Sequence, residues 1–322
     1  MRAVTVRVAG GPEALQVETV PSRPPGPGQV AVDVAACGVN FIDVYHRSGQ
    51  YLVPLPFVPG LEGAGVVAEV GAGAEHVRVG DRVAWADAAG SYADQAIVAA
   101  DRLIPVPDEV PLPDAAALTL QGLTAHYLAH DSYRIRAGDT VLVHAAAGGV
   151  GLLLVQVATS IGARVIGAVS TAEKARAARD AGASEVVLYG RHDLVEQVRS
   201  LSHGEGVAAV YDGIGRETFD ASLSVLRPRG TLVLFGQSSG TVPAVDPQRL
   251  NSAGSVFLTR PNLVHHIATR RELLNRAGDL FAWLIAGQVA PHVHRTFALE
   301  AASSAHQALE RRETIGKLLL LP

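Results

Sequence analysis

The apolar run Val141-Leu142-Val143 leads into Ala145-Ala146-Ala147-Gly148-Gly149-Val150-Gly151, and an apolar helical pattern follows through Ser160. Small residues in such an A-x-x-G-x-x-G turn let a backbone approach a pyrophosphate closely. A helix starting there aims free N–H groups and the positive end of its dipole at the phosphates. The motif alone is weak. Its position, after a strand, opening a helix and ahead of further strand–helix units, is the setting that dinucleotide binding requires. Ala147, Gly148, Gly149, Val150 and Gly151 are therefore the candidate phosphate cradle. The tip of the next strand selects the dinucleotide, because an acidic side chain there would hold a ribose 2′-hydroxyl. It reads Ala168-Val169-Ser170-Thr171, without a carboxylate, and Lys174 follows where it can pair with a 2′-phosphate. Glu173 adjoins it on the helix and points about 100° away. NADPH is the expected cofactor.

Other reactive residues give weaker signals. His126-x-x-x-His130 places two imidazoles on one helical face but lacks the glutamate of a zincin motif, so no metal site is assigned. Cys37 is the single cysteine; it can neither form an intrachain disulfide nor anchor a cysteine-rich zinc site, and it reads as a buried thiol. His265-His266 and His292-x-His294 read as surface residues near turns. Asp212, closing an apolar strand before Gly213 and Gly215, is either a general base or a structural group at the sheet edge. Tyr45 and Tyr51 read as hydrogen-bond donors that orient a substrate, since a phenol with a pKa of about 10 donates without giving up its proton.

These residues need a scaffold, and the chain supplies two kinds. Up to about Gln121, short runs such as Val30–Val34 and Gly65–Val70 lie between Pro and Gly clusters, as in a compact irregular β domain. From Thr140 the pattern alternates strand and helix, with strands expected at Thr140–His144, Arg164–Val169, Glu185–Tyr189, Val207–Asp212 and Thr231–Phe235. That alternation implies a doubly wound parallel sheet, and the fold class is α/β. Asp193 with Glu196 caps one helix, and Thr269 with Glu272 opens another. A helix is expected over Glu300–Glu313, and Lys317–Leu321 reads as an apolar strand returning to the first domain. The 322 residues carry 27 Lys and Arg against 31 Asp and Glu, with no basic block to neutralise a row of phosphates, so no nucleic-acid partner is expected. Met1–Val8 alternates like a strand and no signal peptide is read; the apolar stretch Thr140–Ser170 is interrupted by Gly, Gln156 and Arg164, so no membrane insertion is expected, and the single cysteine makes a reducing cytoplasm the natural compartment.

Several separated motifs occur together in one order. They are Gly10-Gly11-Pro12-Glu13, Asn40-Phe41-Ile42-Asp43 with Tyr45 and Tyr51, Pro59-Gly60-Leu61-Glu62-Gly63, Gly122-Leu123-Thr124-Ala125, His144 through Gly151, Tyr211-Asp212 with Gly215, Phe235-Gly236 with Ser238-Ser239-Gly240, and Thr259-Arg260-Pro261. In these the whole chain resembles the zinc-free, zeta-crystallin-like NADPH:quinone oxidoreductases of the medium-chain dehydrogenase/reductase superfamily. Zinc members of that superfamily carry Cys at the position of Asn40 and His at that of Leu61, so the resemblance implies no catalytic zinc. It further implies a GroES-like β domain (1–121 and 265–322) plus a Rossmann domain (122–264), a cofactor between them and a homodimer. Carried over by position, Lys174, Tyr189 and Arg312 would hold the 2′-phosphate, with Ser170 at the adenosine. Phe235, Gly236 and Ser239 would take the nicotinamide side, and Asn40, Tyr45, Tyr51 and Thr124 would line the nicotinamide and quinone pocket. Two departures stand out: Ser170 where the bacterial enzymes tend to have Gly, and Gln121 where they tend to have a basic residue. The implied activity is hydride transfer from NADPH to a quinone. Reduction of an enone or other activated alkene, and a non-catalytic NADPH-binding role, are the competing readings.

Overall fold

A computed structural model of the chain describes residues 1–189 and 193–322. The fold separates into two units. One comprises Met1–Leu123, Ile267–Gly287 and Pro291–Pro322, the other Thr124–His266 and Gln288–Ala290.

In the first unit the described residues form a seven-stranded sheet. Six of the strands follow one another in the order Val293–Ala298, Lys317–Leu321, Gln29–Val39, Glu62–Val70, Arg82–Ala86 and Ile104–Pro105, and the seventh, Gln95–Ala99, pairs with Gln29–Val39 off this path. The long strand Gln29–Val39 is its spine. Its beginning pairs with Gln95–Ala99, its end with Leu318–Leu320, and its other edge with Glu62–Val70, all antiparallel. Alternating valines at 30, 32 and 34 point into a core with Trp85, Tyr92, Leu103, Leu318 and Leu320. Each leucine buried from the tail strand contributes about 1.5–3 kcal/mol, enough to dock a segment so distant in sequence. The helix of this tail is shorter than the sequence pattern suggests: a single 3₁₀ turn, Leu299–Ala301, precedes the α-helix Ala302–Glu310.

In the second unit six strands run parallel, in the order Glu185–Leu188, Arg164–Val169, Thr140–His144, Val207–Asp212, Leu226–Leu234 and Phe257–Thr259. The sheet is doubly wound, as expected from the alternation. Val207–Asp212 is buried at every position, the pattern of a strand covered on both faces. The third strand ends at Leu188 rather than Tyr189 and the fifth at Leu234 rather than Phe235, and two larger features also differ from the sequence reading. The fifth strand begins at Leu226 rather than Thr231, because an irregularity carries pairing past Pro228 and past Arg229, whose φ is 60°. The sixth strand, Phe257–Thr259, has only three residues and gave no periodic signal. The helix Gly149–Ile161 follows the glycine turn and ends at Gly162, whose φ of 94° suits a left-handed cap.

Candidate active site

At the carboxyl edge of the parallel sheet, the chain leaves Thr140–His144 through Ala145, held at φ 48°. Gly148 is extended and donates its N–H to Ala145 O at 2.8 Å, closing the turn just before the helix begins at Gly149. A Cβ on Gly151 would run into the carbonyl oxygen of Ala145, so this position requires glycine for the helix to sit against the turn. The first N–H groups of a helix lack intrahelical partners, which makes this helix start a ready anion site. At the next strand tip Ser170 is exposed and Thr171 caps the helix Ala172–Asp180, accepting the Lys174 N–H at 3.2 Å. Lys174 thus lies in the first helical turn, half-buried. Phe235 and Gly236 leave the fifth strand with both N–H groups directed at Asp212 O, at 2.9 and 3.3 Å. Ser239 Oγ donates to Ile214 O at 2.8 Å and accepts the Glu217 N–H at 3.0 Å.

Asp212 resolves in favour of the structural alternative. Its Oδ1 accepts the N–H groups of Ile214 and Gly215 at 2.8 and 3.0 Å, and Thr218 Oγ1 lies 2.9 and 2.8 Å from its two oxygens. The Ser222 hydroxyl donates to Oδ2 at 2.7 Å. A carboxylate so occupied is a hub rather than a free base. Ser222 has one hydrogen and spends it on Asp212, so at its 3.0 Å contact with His144 it must accept. His144 therefore carries its proton on Nε2. Its bare Nδ1 then accepts from the Tyr189 hydroxyl at 2.6 Å, with the two rings stacked 6° from parallel. Burial pushes the His144 pKa down, opposed by the nearby Asp212 charge, in keeping with a neutral ring. Sequence reading assigns Tyr189 as a donor to a 2′-phosphate, yet here its hydrogen is turned inward to His144 and its oxygen accepts the Ala145 N–H at 3.3 Å. Arg312, the third residue of that set, lies exposed in the first unit at φ 57°.

In the first unit Asn40 precedes the helix Phe41–Arg47, which carries Tyr45. Tyr51 returns to it, donating its N–H to Tyr45 O at 3.0 Å, and the two rings lie 5.2 Å apart. Asn40 is enclosed by a cluster that carries no signal in the sequence. Lys317 is 1% exposed and Glu62 0% exposed; they form an ion pair, and Lys317 Nζ also donates to Asn40 Oδ1 at 2.8 Å. Asn40 Nδ2 donates to Glu62 Oε2 at 2.9 Å and Gly38 O at 3.4 Å, while Gln121 Nε2 donates to Asn40 Oδ1 at 3.2 Å. Thr124 is buried one turn beyond Gln121 on the helix Leu112–Tyr127.

Beneath Asn40 runs a second buried chain. Asp43 Oδ2 accepts the Asn40 N–H at 2.8 Å and the Tyr92 hydroxyl at 3.2 Å; His306 reaches Tyr92 through Nε2 and Arg47 through Nδ1, and Arg47 pairs with Glu310 at 2.7 Å. Asp43 Oδ1 is buried without a hydrogen-bond partner among the described residues. Burial pushes the Asp43 carboxyl up to about 7, against the lowering pull of the Asn40 N–H, Lys317 and Tyr92. Burial, assisted by Arg47, pushes His306 down to about 3. Because the folded state binds the Asp43 proton more tightly than the unfolded chain, its contribution is full at low pH and is lost as pH rises through 7. His306 opposes this only below 6.5, its ordinary value. Between about pH 6.5 and 8.5 the wild type should lose roughly 1 kcal/mol of stability relative to Asp43→Asn. Urea unfolding of both proteins across that range checks this, and parallel pH curves would refute it.

With this geometry in view, residues 149–282 match the family described as zinc-binding dehydrogenase and residues 26–108 the alcohol dehydrogenase GroES-like domain. A quinone oxidoreductase of Salmonella typhimurium is 44% identical over 318 residues, 97% of each chain. The chain belongs to the quinone oxidoreductase family of the medium-chain dehydrogenase/reductase superfamily. This family's GroES-like and Rossmann-type domains are those described above. A solved Escherichia coli quinone oxidoreductase complexed with NADPH superposes with a TM-score of 0.98 at 41% identity, covering 100% of both chains. A 2-haloacrylate reductase of a Burkholderia species is 42% identical over 331 residues, 99% of this chain and 98% of the relative.

Proposed function

We propose that the protein is an NADPH-dependent oxidoreductase that reduces quinones by hydride transfer and works without zinc. The observation that carries the reading is the second strand tip: Val169-Ser170-Thr171 presents no carboxylate and sets Lys174 in the following helical turn, in a chain alike over its length to quinone oxidoreductases. When bound, NADPH supplies the hydride. The residues of the chain supply position: Ala147–Gly151 cradle the pyrophosphate, Lys174 offers charge to the 2′-phosphate from the helical turn after Ser170, Arg312 is the second charge that the family likeness assigns to that phosphate, and Phe235, Gly236 and Ser239 receive the nicotinamide side. Asn40, Tyr45, Tyr51 and Thr124 line the acceptor. A quinone that accepts hydride becomes an aromatic hydroquinone anion, which a solvent proton then neutralises, so no strong buried acid is required.

The matched family description names zinc, and the residues present do not fit it. Asn40 is a neutral amide and Leu61 has no donor atom. Asn40 and Glu62 already face the Lys317 ammonium, which would repel a divalent cation. The Cys37 thiol lies 3.7 Å from Leu320 O, and burial pushes its pKa up, away from the thiolate that a metal needs.

Among the described residues no helix is long and apolar enough to cross a membrane, and a cytoplasmic setting is part of the proposal. So is a homodimer, supported by the edge strand Phe257–Thr259, where Phe257 is 62% exposed and, among the described residues, no further strand pairs with the outer edge, which invites a second copy.

The deciding experiment measures NADPH oxidation with 1,4-benzoquinone, an enone and 2-chloroacrylate, each with and without EDTA. Quinones should turn over fastest, with EDTA without effect; loss of activity to EDTA and its return with zinc would refute the metal-free reading. Tyr51→Phe should slow quinone turnover by about two- to tenfold, the worth of one neutral hydrogen bond. The likeness to 2-haloacrylate reductase favours a second reading, alkene reduction, which needs a proton delivered to carbon. Complete loss of turnover in Tyr51→Phe, with folding and NADPH binding intact, would select it. No NADPH oxidation with any acceptor would leave a binding protein.

A further inference from the structure

The hydrogen-bond inventory around Asn40 separates the residue that meets an acceptor from those that hold it. An ammonium can only donate, so the Asn40 atom facing Lys317 Nζ must be Oδ1, and the end of Gln121 that touches the same atom must be its NH2 group. Asn40 is then full: Oδ1 accepts from Lys317 and Gln121, and Nδ2 donates to Glu62 and Gly38. It cannot bond a substrate without breaking one of these contacts. Gln121 is different. It is half-buried, and beyond the bond to Asn40 its second N–H and its carbonyl make no hydrogen bond among the described residues. Glu62 also accepts the N–H of Leu120, so the ion pair grips the helix backbone beside Gln121 while Asn40 grips its side chain.

We propose that Gln121 donates its remaining N–H to the carbonyl of the acceptor, and that Lys317, Glu62 and Asn40 are positioning residues that fix the Gln121 carboxamide. This deepens the functional reading above and rests on it. A neutral amide backed by a closed ion pair favours an uncharged carbonyl, since the cation that could hold an anionic group is already spent on Glu62.

The test uses the full chain with 1,4-naphthoquinone and its 2-sulfonate as acceptors and NADPH binding followed by fluorescence. Gln121→Leu should lower kcat/KM for 1,4-naphthoquinone about tenfold while leaving the NADPH Kd unchanged. Gln121→Lys restores a donor and adds charge. It should keep the neutral quinone within about threefold of wild type and raise the relative preference for the sulfonate about tenfold, a shift that a purely structural role would not produce. An unchanged kcat/KM in Gln121→Leu, or equal changes for both quinones in Gln121→Lys, would overturn the assignment. A wild type that oxidises NADPH with neither quinone would overturn the functional reading, and this assignment with it.

Discussion

Lys317→Met should destabilise the first unit by about 3–5 kcal/mol, the cost of leaving a buried carboxylate without its countercharge. Methionine keeps most of the apolar stem, so the effect isolates the ammonium. Nothing solvent-exposed can replace it: Glu62 is fully buried, and its remaining donors are the neutral groups of Asn40 and Leu120. Gly38 lies against the same pair; a Cβ there would sit 2.6 Å from Lys317 Nζ. Adding Glu62→Gln should recover part of the loss, because the amide oxygen still accepts while the stranded charge disappears. Both tryptophans, Trp85 and Trp283, belong to the first unit, so their fluorescence in urea reports its unfolding separately. A loss below about 1 kcal/mol in Lys317→Met, or a larger loss in the double variant, would mean that the ammonium does not neutralise Glu62.

The second large effect is on cofactor choice. Lys174→Ala should weaken NADPH by about 10- to 150-fold, the worth of a charge-assisted contact of roughly 1.5–3 kcal/mol, and should scarcely change NADH. The helix itself should survive, since Thr171 caps it through the Lys174 backbone N–H and alanine is a good helix former. Binding titrations with both nucleotides decide the matter. Equal losses would separate Lys174 from the 2′-phosphate.

Much of the second unit was legible because its strands are buried on both faces and so read as continuous apolar runs; Val207–Asp212 was read to the residue. The strand Phe257–Thr259 is too short for any period, and Pro228 disguised the start of its neighbour. The glycine turn was legible because close approach leaves a local mark. The relay from Asp212 through Ser222 and His144 to Tyr189 left none, since its members come from four different segments and only the folded register joins them. Lys317 read as the polar first residue of an apolar strand, which is where a lysine is ordinarily solvated. Its partners Asn40 and Glu62 lie 277 and 255 positions away.

That separation also sets an order of assembly during synthesis. The strand Lys317–Leu321 fills the place between Val293–Ala298 and Gln29–Val39, so the sheet of the first unit stays incomplete until those residues leave the ribosome. At translation rates of about 5–20 residues per second, the residues from Gln29 to Glu62 wait on the order of ten seconds or more with a bare strand edge and an uncompensated Glu62. The whole of Thr124–His266 emerges in that interval and can fold first. The nascent chain therefore carries a finished nucleotide-binding unit beside an unfinished sheet. That is the stage at which a chaperone would engage it and at which strand exchange between neighbouring nascent chains would begin.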